Sequence, residues 1–248
     1  MNPPVVYAVQ SLGSSRNGSG MASKTRRKSK NHDTFEGNLS SGSFAMSPDF
    51  LGRDSRLPAF LIVGLAVLAL TPRIQTNDTL IWSFVAAAVF LGLWLTFLLS
   101  RGRAERDTYS FEIALRPQHY IQACVQFSVY AYWGYHWELI PGSGLRPVYD
   151  HAFLMLGQII FAYAFGILLS WSRHQKYILG FGPIPIIFSV NLFLWFRDDW
   201  FYMQFLMIAL GFMGKEYIRW DREGRSMHIF NPSAFALGLF SLVLILTN

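Results

Sequence analysis

The sequence predicts an all-α integral membrane protein of about seven transmembrane helices, N-terminus inside and C-terminus outside. Three observations predict it. Hydrophobic residues make up 52% of the 248 and aromatics 17%, while charged residues reach only 15%, which is too apolar for an ordinary soluble domain. The apolar residues are gathered in blocks, several close to the roughly 20 residues a helix needs to cross a bilayer core. Lys and Arg alternate in abundance between the connections that separate the blocks.

The first block, Leu57 to Thr71, is short and leans on Arg56 and Arg73 reaching to the interfaces. The second, Thr79 to Ser100, is uninterrupted. The third, about His119 to Ile140, is aromatic and carries Gln122 and Gln126. After "PGSGLRP" the fourth runs from about His151 to Ser172, the fifth from Tyr177 to Phe196, the sixth from Trp200 to Gly214 and the seventh from His228 to Thr247.

With the N-terminus inside, the tail, the 101–118 connection, Arg173 with Lys176, and the 215–227 connection all face the cytoplasm. They hold 18 of the 21 Lys and Arg residues, and the outer side keeps Arg73, Arg146 and Arg197. That asymmetry supports both the odd number of spans and the orientation. The net charge of +6 is accounted for by topology, so nucleic-acid binding is not needed to explain it.

Residues 1–56 are rich in Ser, Gly, Asn and Lys and show no apolar periodicity, which predicts a disordered basic cytoplasmic tail ahead of a transmembrane domain over 57–248. The Arg26-Arg27 pair lies about thirty residues ahead of the first apolar block, too far for an export signal. The bland reading is a tail whose charges help fix topology and touch anionic lipid. Cys124 is the only cysteine, which excludes a disulfide framework and thiolate metal sites. His119, His136, His151, His174 and His228 each stand alone in sequence, without the close spacing of di-iron histidine boxes, and no metal site is expected. A haem or metal held between helices could still draw on such isolated residues. Neither G-x-x-x-x-G-K-[ST] nor G-x-G-x-x-G occurs, so any enzymatic chemistry would be borrowed from partners.

In "YILGFGPIPIIFSVNLFLWFRDDW", Gly180, Gly182, Pro183 and Pro185 crowd the opening turns of the fifth block. Proline removes a backbone donor and clashes with the preceding turn, so a continuous helix through this point is not expected. Two readings follow. One is a discontinuous helix whose Gly180, Gly182, Pro183, Pro185 and Asn191 form part of a transport pathway; the other is a kinked helix with glycines for close packing. The Arg197-Asp198-Asp199 run could attract a cation, but its commoner role is mutual neutralisation that holds a tight turn.

Further on, "GKEYIRWDREGRSMHIFNPSAF" places Asn231 as a capping side chain before Pro232 at a first helical position. Lys215, Arg219, Arg222 and Arg225 pin this corner inside. It could be a purely topological corner. The helix start also turns partial positive charge toward the cytoplasm, where a phosphate or carboxylate could sit. His228, Asn231 and Ser233, with Lys215 and Arg219, are therefore the candidate contacts for an anion or cofactor.

The "GKEYIRW" and "HIFNPSAF" stretches resemble the membrane subunit family of sodium-translocating NADH:quinone reductases and Rnf complexes, the NqrB/RnfD type. With "RPQHYIQACVQFSVYAYWGYHWE" and "LLSWSRHQKYILGFGPIPIIFSVNLFLWFRDDWFYMQF", they look closest to the NqrB/RnfD-like proteins associated with enediyne biosynthesis. The resemblance covers about 111–248. It implies part of a urea-transporter-like inverted-repeat architecture in a bacterial inner membrane. It also implies a subunit that couples redox chemistry in partner subunits to cation transport, at most non-catalytic or flavin-dependent itself. Better-studied members attach flavin mononucleotide (FMN) to a threonine in a Ser-Gly-Ala-Thr motif, which this chain lacks. Members also continue beyond the Asn-Pro helix, so a chain ending at Asn248 is expected to be an N-terminal part of a longer protein, or to dimerise. Other membrane and redox subunits are the implied partners. A non-redox transporter, channel or scaffold is the alternative from a different class.

Overall fold

The computed structural model describes residues 56–101, 111–138, 148–222 and 225–247, with no account of the side chains at 137–138, 148, 221–228 and 247. The expected tail over 1–56 and Arg146 fall almost wholly outside these residues. Seven α-helices are present among them: α1 (Arg56–Leu68), α2 (Asp78–Arg101), α3 (Pro117–Glu138), α4 (Ala152–Ser172), α5 (Pro183–Phe193), α6 (Tyr202–Tyr217) and α7 (Pro232–Thr247). Two apolar stretches, Asp78–Arg101 and Tyr149–Ser172, are long enough to cross a membrane. The fold is mostly helical. It also contains four short strands that an all-α reading does not contain: β1 (Phe111–Ile113), β2 (Tyr177–Leu179), β3 (Arg219–Arg222) and β4 (Arg225–His228).

The main core lies where α1, α2, α4 and α6 meet. Leu65, Leu80, Phe84, Leu154, Ile167, Leu168 and Trp171 are fully buried there. Phe84 stacks on Phe201 at 5.8 Å and meets Phe205 edge-on at 5.2 Å, and Phe161 lies 4.9 Å from Phe205. Such rings contribute about 0.5–1.5 kcal/mol per pair beyond their buried area. Phe84 can lie this close to α4 because Gly157 leaves no side chain in its way. A smaller core of Val190, Phe196, Met207, Ala236 and Phe240 joins α5, α6 and α7, where Gly211 of α6 lets the Pro232 carbonyl and Ala236 approach.

The connections gather at two ends. Arg73, between α1 and α2, donates to the Asp150 carbonyl and to both Asp198 carboxylate oxygens, at 3.2 and 3.3 Å. Asn77 donates to Asp199 at 2.7 Å. The Asp-Asp run is thus held by Arg73 and Asn77 from another connection, partners that the sequence reading did not name. At the opposite end β1 pairs parallel with β2, and Glu216 accepts from Arg173 and Arg219 at 2.7 and 2.6 Å.

The fifth block contains an 11-residue helix, about 16 Å long at roughly 1.5 Å per residue, half of a hydrocarbon core of about 30 Å. It starts at Pro183 after strand β2 and ends at Leu194 in extended backbone. The discontinuity anticipated at the Gly-Pro cluster is present. The expected seventh span from His228 likewise begins as a helix only at Pro232, with His228 in β4.

Candidate anion site at the basic end

The site is built by one local pattern used three times. β1 ends at Ile113 and α3 opens at Pro117; β2 ends at Leu179 and α5 opens at Pro183; β4 ends at His228 and α7 opens at Pro232. In each case three residues separate strand and proline, as "ALR", "GFG" and "IFN". Proline suits a first helical position because its missing N–H has no intrahelical partner there, and before Pro183 the Gly182 backbone is already helical. Strand, short turn and helix start follow from that chemistry.

Two of these units lie side by side. Phe111, Glu112 and Ile113 pair with Tyr177, Ile178 and Leu179, and Ala114 N–H donates to the Leu179 carbonyl at 3.0 Å. Gly180 is required at this point, since a Cβ there would collide with the Ala114 carbonyl oxygen. The Gly180 carbonyl accepts from the Tyr163 hydroxyl at 2.7 Å. Gly182 caps α5 with the His119 ring against it. At the third unit Asn231 Oδ1 accepts the Ser233 N–H at 3.1 Å and the Ser233 hydroxyl at 2.8 Å, the cap anticipated from the Asn-Pro pair.

Two adjoining cavities lie among these helix starts. One, about 320 Å³, is bounded by Gly180, Lys176, Tyr177, Glu216 and Arg219. The other, about 440 Å³, is bounded by Gln122, Pro185, Ser189, Phe230, Asn231 and Ser233. Arg116, His119, Gly182 and Lys215 line both and form the wall between them. α3, α5 and α7 therefore present their N-terminal turns to this region, each carrying about half a positive charge from its aligned peptide dipoles.

The charged side chains are unequally committed. Glu216, the carboxylate of the smaller cavity, is taken up by Arg173 and Arg219. The Arg116 and Lys215 side chains make no hydrogen bond or ion pair with any described residue. Burial holds the Lys215 amine below the usual lysine range; Glu216 opposes the shift, and Arg219 and Arg116 add to it. A bound anion would relieve both the desolvation and the crowding of positive charge.

The two residue sets expected from sequence converge here. Gly180, Gly182, Pro183 and Pro185 share the cavities with Lys215, Arg219, Asn231 and Ser233. The side chain of His228 lies outside the described structure. Asn191 is elsewhere: its amide donates to Gln158 at 2.8 Å and accepts from Gln204 at 2.6 Å, deep between α4, α5 and α6. The sequence reading missed Arg116, His119, Lys176, Gln122 and Ser189 as cavity residues. The available signal was the repeated three-residue interval before a helix-opening proline.

No threonine lines either cavity, and the chain has no Ser-Gly-Ala-Thr run, so these residues do not fit the phosphate-to-threonine flavin attachment that the resemblance implies. No family model, curated protein or solved structure matches the chain.

Proposed function

We propose that the chain is a multi-pass protein of a bacterial inner membrane that takes a small anion, or the anionic group of a larger solute, into the cavities at its basic end as the first step of transport. The observation that carries this reading is the shared wall. Arg116 and Lys215, neither of them held by a hydrogen bond or ion pair to a described residue, stand beside His119 and Gly182 where three helix N-termini converge. The desolvated Lys215 amine, the Arg116 guanidinium and the helix starts favour negative charge together. The broken α5, opening on the cavities and stopping after 11 residues, matches the discontinuous helices of transporter sites.

The membrane reading is supported by the outer faces of the helices. Phe60, Val63, Trp82, Leu93, Phe127, Phe193, Ile245 and Leu246 are each at least half exposed, an apolar surface suited to lipid. Seven crossings with the basic end inside are tested by replacing Cys124 with Ser and introducing cysteines singly at Asn77, Arg197, Lys176 and Arg219. In intact cells an impermeant maleimide is expected to label the first two only. Labelling of Lys176→Cys would overturn the orientation.

The binding reading is tested in neutral-lipid nanodiscs by the thermal midpoint against sulfate and phosphate, with chloride as control. A rise for the oxyanions that Lys215→Met abolishes supports it, and no rise overturns it.

A second reading, a subunit of an Rnf/Nqr-like electron-transport complex with redox partners, is favoured by one observation. The region that carries the resemblance, about 111–248, begins at β1 and contains all three strand–helix units of the basic end. Flavin fluorescence that survives denaturation of the natural protein would favour it over an anion carrier.

A further inference from the structure

The larger cavity has a charged side and a neutral side. Arg116 and Lys215 supply its charge, both from the shared wall, while Gln118, Gln122, Ser189, Asn231 and Ser233 supply uncharged donors and acceptors. Its volume of about 440 Å³ falls in the range of about 300–1,000 Å³ typical of organic ligands, and corresponds to roughly fifteen waters at their liquid volume. An inorganic oxyanion on the wall would leave most of that space to solvent.

The neutral side is ordered along α3. Gln118, Gln122 and Gln126 recur at intervals of four residues, so they stack on one face about 6 Å apart. The facing residues of α5 are Pro185 and Ser189, one turn apart. Gln126 lies one turn beyond the lining residues and braces Ser189 from behind, its Nε2 donating to Ser189 Oγ at 2.7 Å. Because Ser189 accepts from Gln126, its own hydroxyl proton remains to be donated. Asn231 spends Oδ1 on Ser233, which leaves its NH₂ as a donor.

Resting on the anion reading above, we infer that the solute is an organic oxyanion. Its carboxylate or phosphate sits on the Arg116–Lys215 wall, and its hydroxyl- or amide-bearing body lies along Gln118 and Gln122 against Ser189. Charge supplies attraction, and the amide ladder supplies selection. A site built to hydrogen-bond such groups rejects analogues that lack them, because its own polar groups would then be left unpaired.

The test uses the full chain in neutral-lipid nanodiscs and isothermal titration with acetate, inorganic phosphate, lactate, gluconate and glucose 6-phosphate. Gluconate is expected to bind at least tenfold more tightly than acetate, and glucose 6-phosphate at least tenfold more tightly than inorganic phosphate. Gln122→Leu should erase both advantages by weakening gluconate and glucose 6-phosphate more than acetate and phosphate, while Lys215→Met weakens every probe. Gln118→Leu, one turn nearer the wall, serves as a second variant should Gln122→Leu not fold. Equal affinities within each pair, or an advantage that survives both glutamine variants, would overturn the inference and leave the anion site standing. Failure of all five probes to bind would overturn the underlying site.

Discussion

Arg73 and Asp198 face each other across two connections far apart in sequence, with one guanidinium nitrogen 3.2 and 3.3 Å from the two carboxylate oxygens. Both side chains are largely shielded, at 15% and 9% exposure. This pair fastens the α1–α2 turn to the α5–α6 turn at the end opposite the cavities.

Removing one partner of a shielded pair leaves the other charge without its counterion. Asp198→Asn is expected to cost about 1–3 kcal/mol, a little under the value for fully buried pairs. Denaturant or thermal unfolding in detergent measures it, with Arg73→Met/Asp198→Met expected to recover part of the loss. Full stability of Asp198→Asn would show that the contact is not formed.

The amide chain Gln158–Asn191–Gln204 carries a second prediction. Gln204 donates to Asn191 and to the Leu194 carbonyl at 3.3 Å, and accepts the Phe196 N–H at 3.3 Å, all within the protein. Gln204→Leu strands these groups and should cost about 1–3 kcal/mol. Asn191→Leu added to it should cost less than the sum of the singles, because the two share a bond. Additive losses would argue against a connected network.

Gly180→Ala should separate β1 from β2, since the added methyl meets the Ala114 backbone, which cannot swing aside as a side-chain tip can. Overpacking of this kind costs about 1–3 kcal/mol. Gly238→Ala is the control: nothing lies within contact distance of its added methyl, and a mid-helix Gly→Ala change there is worth up to about 1 kcal/mol in favour. The test fails if the two variants behave alike.

The depressed Lys215 amine gives a pH dependence with a defined sign. In the free protein its charge disfavours folding at low pH, a cost fully present below the lowered folded value and lost as pH rises from there to the ordinary lysine value. An anion prefers the charged amine, so sulfate affinity should fall as pH rises through the lowered folded value, below the usual lysine range. Lys215→Arg, which stays charged, should keep its affinity at alkaline pH. A wild-type profile as flat as the variant's would remove Lys215 from the site.

Much of the architecture was legible in order along the chain. The apolar blocks place α1, α2, α4 and α6 to within a few residues, because their periodicity and length are local properties. The break before Pro183 and the Asn231 cap were also local, since each depends on a proline and its immediate neighbours. The strands were not legible. "FEI" and "YIL" are three residues each and exist only because they pair with one another across an intervening helical hairpin.

The candidate site shows the same division. Composition and residue order determined a basic end, a broken fifth helix and a capped seventh one, because charge alternation and proline chemistry act over a few residues. That Gly182, His119, Lys215 and Ser233 border the same space was decided only by the tertiary packing of α3, α5, α6 and α7. The same holds for Asn191, which the packing turns toward Gln158 and Gln204 and away from the cavities. Which polar side chains meet depends on how helices distant in sequence are rotated against one another, and no local pattern contains that rotation.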